Sequence, residues 1–315
     1  MNYLEKMGYD SAAVEKRVAD AWYTIFDPKS SDRFYFDAPD ETGFVEDTGN
    51  IDARTEGMSY GMMMAVQADR RDIFDRIWKW ARKNMYLSEG PNAGYFCWSN
   101  NPDGRKNSDG AAPDGEEYFA MALFFAASRW GDGEGVFNYT QEARAILRTA
   151  VHGPSPMWNS ENYLIRFISN CPFSDPSYHL PHFYELFAVR ADPSDRTFWE
   201  RAAAASRSYL VKACHPVTGL AAEYAENDGT PLPPGKHGTF FSDSYRVGAN
   251  IGLDALWNGR KPELSRIADN MLRFFDGVEP EDFMEYRIDG RPCRKEARPS
   301  GRFVRIACGN GSCRR

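Results

Sequence analysis

Three carboxylates stand at the start of mostly apolar helical runs, each beside a polar or glycine-rich loop. They are Glu56 in RTEGMSYGMMM, Asp114 in APDGEEYFAMALFFA and Asp243 in FFSDSYRVGANIGLDALW. Paired carboxyls suit glycoside cleavage. One protonates the departing sugar oxygen and the other activates water on the opposite face, about 6.5–9.5 Å away when the anomeric centre inverts. The acid of such a pair needs burial to raise its pKa against a helix terminus that lowers it; the Met-, Tyr- and Phe-rich surroundings of Glu56 offer that burial. The competing reading is a helix cap, since Asp is a common N-cap and Glu in a first turn favours the helix dipole. Taken singly, each residue is more often a cap than a catalytic group. Two features weigh against it. Near-wholly apolar helices bring these carboxylates to the rim of an enclosed space, and a double ring of helices gathers its inner helix starts at one end.

Other chemistry-bearing signals are weaker. His179 and His182 have the spacing of a metal pair, but no third ligand is evident, and core or hydrogen-bonding roles fit better. GDGEG at 131–135 lacks the strand and the GK[ST] of a phosphate loop and reads as a loop after a helix end. Trp98 and Tyr178 lie in loop-like sequence, where rings stack on sugars.

The elements that must position these residues are helical almost throughout. Residues 12–26 place Val14, Val18, Ala21, Trp22 and Ile25 on one face, and 70–84 repeat the pattern through Ile73, Ile77, Trp78 and Ala81. Further helical runs fall at 57–68, 115–130, 140–150, 179–190, 195–213, 243–257 and 262–276. Runs that are apolar almost all round alternate with runs that carry a charged face. A double ring requires that alternation, with inner helices enclosed and outer ones facing solvent, whereas a plain up-down bundle makes every helix half-polar. Few convincing strands appear and no long linker divides the chain, so one all-α domain is expected over 1–290. Two long loops, 87–116 and 215–242, each precede a mostly apolar helix; loops of that length in a compact domain are usually functional.

Composition narrows the partner. A net charge of −7 lacks the basic footprint of a nucleic-acid binder and disfavours anionic membranes. Aromatic residues make up 14% of the chain, a surplus that suits a groove stacking flat, neutral ligands. No apolar run is long enough to span a bilayer, the N-terminus lacks a basic region followed by an apolar one, and the six cysteines show no CxxC pairing. A reduced, cytoplasmic protein is the simplest expectation. From Arg291 onward come seven Arg and three of the six Cys with no helical periodicity. Residues 291–315 therefore read as an aberrant tail, resembling an out-of-frame continuation.

These residues resemble glycoside hydrolase family 8. TEGMSYGM is similar to that family's Glu-Gly-x-Ser-Tyr-Gly general-acid motif, and APDGEEYFAMALFFAASRW to its Ala-[Ser/Thr]-Asp-[Ala/Gly]-Asp signature. SDSYR resembles the Asp-x-x-Arg element that carries the base. Within the family, FFSDSYRVGANIGLDALW and DPSYHLPHFYELFA resemble the members that release xylose from the reducing end of xylo-oligosaccharides. The resemblance implies a six-hairpin (α/α) toroid, incomplete at its C-terminal end if the tail is aberrant. It also implies inversion, no metal and no cofactor. By motif position Glu56 is the acid and Asp243 the base. Asp114 holds the sugar beside the scissile bond, Trp98 stacks there, Tyr178 hydrogen-bonds near the attacking water, and Arg246 orients the base side. Tyr60, in the acid motif, joins the substrate-binding set. The implied partner is a xylo-oligosaccharide, with neither nucleic acid nor membrane, and a monomer is expected. Two departures stand out: Pro113 replaces Ser or Thr, and Glu116 replaces the second Asp. The rival expectations are an endo-acting xylanase, glucanase or chitosanase of the same family, and a non-catalytic sugar-binding toroid. A helical epimerase would use His pairs, and the chain holds only five His.

Overall fold

The computed structural model describes residues 3–279 and 282–293. The chain divides after Ile146 into two compact units.

The first unit begins with helices α1 (Tyr3–Lys6) and α2 (Ser11–Phe26) and strands β1 (Tyr35–Ala38), β2 (Thr42–Asp47) and β3 (Asp52–Arg54). Helices α3 (Thr55–Gln67) and α4 (Arg71–Trp80), strand β4 (Ser99–Asn100) and helix α5 (Pro113–Trp130) follow, and the boundary falls within α6 (Tyr139–His152). The four strands form one antiparallel sheet in the order β1-β2-β3-β4. This sheet departs from the sequence expectation. Its strands are two to six residues long and mix Asp, Glu, Arg and Gly with apolar residues, so neither length nor alternation marks them. On α2, Val14 and Phe26 are buried but Val18 is 60% exposed, so the expected apolar face is only partly covered.

The sheet sets where α3 begins. Strand β3 runs straight into the helix, and the ladder Ala53↔Asn100, Arg54↔Ser99 continues as Thr55 N–H donates to the Trp98 carbonyl at 3.0 Å. That bond satisfies a helix-start donor which no side-chain cap serves. Small residues then let the neighbours close in. A methyl on Gly61 would lie 2.7 Å from Val45 Cγ2, and one on Gly115 would lie 2.3 Å from the Thr55 side chain. The first turns of α3 and α5 therefore touch. Pro113 occupies the first position of α5, where its missing N–H costs nothing, which explains the departure from Ser or Thr. Met58, Met62, Phe119 and Leu123 are wholly buried, so α3 and α5 are enclosed as their composition predicts.

The second unit holds α7 (Pro181–Arg190), α8 (Arg196–Ala213), α9 (Arg246–Asn258), α10 (Pro262–Phe274) and the paired strands β5 (Phe173–Ser174) and β6 (Ala225–Glu226). Trp158, Tyr184, Phe187 and Trp199 form its aromatic centre, with Trp158 and Trp199 edge-to-face at 5.1 Å. Arg207 of α8 joins three helices: both Asp254 oxygens on α9 accept from it at 2.7–2.8 Å, and Glu185 on α7 accepts at 2.6 Å. Burial pushes the Asp254 carboxyl up, but the bonds from Arg207 and Asn258 outweigh it and hold the group below the usual carboxylate range. Helix α9 starts later than the sequence pattern suggests, because Ser242–Tyr245 form a 3-10 turn ahead of Arg246. Arg291–Cys293 fold back on 285–289, with Arg287 N–H donating to the Arg291 carbonyl and Cys293 N–H to that of Glu285. The remainder of the expected tail, 294–315, lies outside the described residues.

Candidate active site

Of the residues singled out by sequence, Glu56, Tyr60, Trp98 and Asp114 lie in the first unit, and Tyr178, Asp243 and Arg246 in the second. Within each unit the structure gathers them.

Glu56 sits in the first turn of α3, two residues past the end of β3. It is half-buried, and Thr55 Oγ1 donates to its Oε2 at 3.3 Å. Tyr60, one turn on, meets Tyr118 of α5 edge-to-face at 4.7 Å. Asp114 is 2% exposed in the first turn of α5, and its Oδ1 accepts the Gly115 N–H at 3.0 Å. Contact between Gly115 and Thr55 thus brings the starts of the two carboxylate-bearing helices together. Trp98 is half-buried with both backbone groups engaged, its N–H to the Gly110 carbonyl and its C=O from Thr55 N–H. The Arg54 guanidinium lies 5.2 Å from the centre of the Trp98 ring and pairs with Asp52 and Asp47 at 2.9 and 3.3 Å. Ser99 Oγ also donates to Asp52. Arg54 is a member of the site that sequence reasoning missed. Its signal was its place two residues before Glu56, and only the sheet register shows that it reaches Trp98.

In the second unit Asp243 lies on the 3-10 turn, and its Oδ2 pairs with Arg246 Nη2 at 2.6 Å. The Arg246 guanidinium also lies 5.6 Å from the centre of the Tyr178 ring, so one cation links the carboxylate to the tyrosine. Tyr178 closes the turn Pro176–Tyr178, held by Asn250 of α9, which donates to the Ser177 carbonyl at 2.8 Å. Ser242, just before Asp243, has φ +48°, a left-handed backbone unusual for a residue with a side chain. Two further acids share this neighbourhood and were not foreseen. Asp175 is buried and accepts the Ser177 N–H at 2.7 Å. Burial pushes its carboxyl well up, Arg246 pulls it down and Asp243 adds to the rise. Glu223 pairs with His237 at 2.9 Å; burial raises its carboxyl against the lowering by His237 and Ser242. In sequence, Asp175 reads only as the polar start of a turn and Glu223 as one charge in a long loop.

The paired histidines have structural roles. His179 bonds Ser174 and Ser206, each at 2.9 Å, and stacks on Tyr209. His182 packs among Phe183 and Trp257. Among the described residues no group of three or more His, Cys, Asp or Glu is placed to hold a metal ion. No helix of the described residues is long and apolar enough to cross a membrane.

A helical protein with carboxylates at the starts of enclosed helices, aromatic rings beside them and an arginine on one acid has the parts of a glycoside hydrolase. Residues 38–278 match the model of the glycosyl hydrolases family 8, and the chain belongs to that family. It is 56% identical over 316 residues to the reducing end xylose-releasing exo-oligoxylanase of Halalkalibacterium halodurans, covering 98% of this chain and 81% of that protein. It is 51% identical over 289 residues to the protein of the same name from Bifidobacterium adolescentis, covering 90% and 75%. A crystal structure of a reducing-end-xylose releasing exo-oligoxylanase complexed with xylose is 56% identical and superposes with a TM-score of 0.90, covering 93% of this chain and 79% of that one. The fold class is the all-α (α/α) toroid of that family.

Proposed function

We propose that this chain hydrolyses β-1,4-linked xylo-oligosaccharides by inversion, releasing xylose from the reducing end. The observation that carries the reading is 56% identity to an enzyme of that name along 98% of the chain. A single catalytic domain over 1–290 goes with it, supported by a family match that spans 38–278 without a break.

Glu56 donates its proton to the glycosidic oxygen as the bond to the anomeric carbon breaks. Asp243 takes a proton from the water whose oxygen attacks that carbon from the opposite face. Solvent exchange then restores both groups. Arg246 holds Asp243 Oδ2 at 2.6 Å and so orients the base toward the water, with Tyr178 beside it to hydrogen-bond that water. Trp98 stacks on a xylose ring, its plane fixed by Arg54, while Asp114 and Tyr60 bind hydroxyls near the scissile bond. A reducing compartment suits the free thiols of Cys97, Cys171, Cys214 and Cys293, two of them buried, and we place the enzyme in the cytoplasm as a monomer.

Hydrolysis of xylotriose carrying an isotopic label in its reducing-end unit tests the reading. All early label should appear in free xylose, and proton NMR should show the new reducing end of xylobiose forming as the α-anomer. Cleavage within longer xylan chains at comparable rates would instead make it an endo-acting member of the family, and unaltered xylotriose would point to a binding toroid.

A further inference from the structure

We propose that Glu116 is a positioning residue: its carboxyl clamps the segment 96–98, just ahead of β4, and thereby sets Trp98 and the start of α3, with Glu56, relative to Asp114. The inference rests on the roles proposed above for those three residues.

Glu116 is 1% exposed on the first turn of α5, two residues after Asp114. Its Oε1 accepts the Phe96 N–H at 2.7 Å, and among the described residues its Oε2 has no hydrogen-bond partner. The neighbouring residues of the same segment are held by backbone bonds and by the Cys97 thiol, whose Sγ donates to the Ser108 carbonyl at 2.7 Å. Cys97 N–H donates to the Met85 carbonyl at 2.8 Å, and the Trp98 carbonyl accepts Thr55 N–H at 3.0 Å. Segment 96–98 is therefore held at one end by a side chain of α5 and at the other by the first residue of α3, next to Glu56. A hydrophobic residue could fill the volume of Glu116, but it would leave the Phe96 N–H buried without an acceptor. Burial and the nearby Asp114 push the Glu116 carboxyl well up, against the lowering by the Phe96 N–H. The extra methylene relative to Asp is what the reach to Phe96 uses, giving a physical reason for Glu at this position of the signature.

Three variants test the clamp: Glu116→Gln, Glu116→Leu and Glu116→Asp. Kinetics on xylotriose are normalised to folded protein, and amide hydrogen exchange is followed across 95–99. Glu116→Gln keeps an acceptor of the same reach and should retain kcat/KM within about threefold. Glu116→Leu should lose about 10- to 100-fold, since misplacement on the order of 1 Å costs up to about 100-fold. Its KM should also rise several-fold through Trp98, a change that a merely smaller folded fraction cannot produce. Should the leucine variant fail to fold, Glu116→Asp supplies the reading, with a loss of at least fivefold expected from its shorter reach. Exchange at 95–99 should quicken in the Leu and Asp variants and stay slow in the Gln variant whether or not xylotriose is the substrate, so an inactive parent enzyme with that exchange pattern overturns the proposed function and leaves the clamp standing. Parent-like KM and exchange in the leucine variant, or a glutamine variant as impaired as the leucine one, would overturn the clamp.

Discussion

At Glu56 the proposed chemistry makes its strictest demand, because only a group that can lose a proton to the leaving oxygen serves there. Glu56→Gln keeps the volume and the Thr55 contact but removes the proton, so kcat on xylotriose should fall by about 10²–10⁴ with KM changed little. A variant with parent-like kcat would take the acid role from Glu56. His179 makes a different demand, on stability. Burial lowers its pKa to about 3 from the ordinary 6.5, so the folded state keeps it neutral while the unfolded chain protonates it. A lowered histidine pKa means that the unfolded state binds the extra proton between those two values. Stability is thus complete above pH 6.5 and declines as pH falls toward 3. By pH 5 the loss from this residue is about 2 kcal/mol. Denaturant unfolding of the parent and of His179→Gln at pH 7.5 and pH 5 checks this: the variant's stability should fall by about 2 kcal/mol less. Identical slopes would mean that His179 titrates normally. In sequence, HxxH suggested hydrogen-bonding or core roles for this residue. Its partners Ser174 and Ser206 are 5 and 27 positions away, the first on β5 and the second on α8, so the tertiary fold alone identifies them.

Elements place these groups through contacts between helices. The start of α5 rests on the start of α3 at Gly115, where a methyl would lie 2.3 Å from the Thr55 side chain. Gly115→Ala must therefore part the two helix starts, at a cost of about 1–3 kcal/mol in stability. Because Glu56 and Asp114 flank that contact, kcat should fall as well, and thermal unfolding run beside xylotriose kinetics reads both. Retained activity with a lower melting temperature would separate packing from positioning. In the second unit Arg207→Met would leave Asp254, 1% exposed, without its bidentate partner, and a loss of about 3–5 kcal/mol is expected in denaturant unfolding. Helices were the legible elements. The runs around α3, α5, α8 and α10 declared themselves by apolar spacing, and their observed bounds differ from the sequence pattern by a few residues at most. The sheet did not, because β3 is three residues of Asp-Ala-Arg whose partner β4 lies some 45 positions on, so only long-range pairing makes it a strand. The turn carrying Asp243 was read as the first turn of α9. Its tighter winding follows from the left-handed Ser242 and from Ser244 Oγ accepting the Phe241 N–H, which apolar periodicity does not encode.

At the scale of the whole molecule the governing quantity is charge. The chain carries a formal −7, and Asp114, Asp175, Glu223 and Asp243 add acid to the neighbourhoods of the proposed site. A field of that sign draws cationic ligands, repels anionic ones and leaves a neutral sugar unaffected. Salt therefore distinguishes the possible substrates of a family 8 enzyme. Encounter with a xylo-oligosaccharide has no Coulombic term to screen, whereas encounter with a glucosamine oligomer, cationic below its amine pKa, would weaken as the Debye length shrinks from roughly 14 Å to roughly 4 Å between about 0.05 and 0.5 M salt. Over that range kcat/KM on xylotriose should change by less than about twofold. A decline of tenfold or more would mean that a charged group on the ligand is being steered, and would move the assignment toward an amino-sugar substrate. Because screening acts on encounter and not on the chemical step, the effect, where present, should fall on kcat/KM and spare kcat.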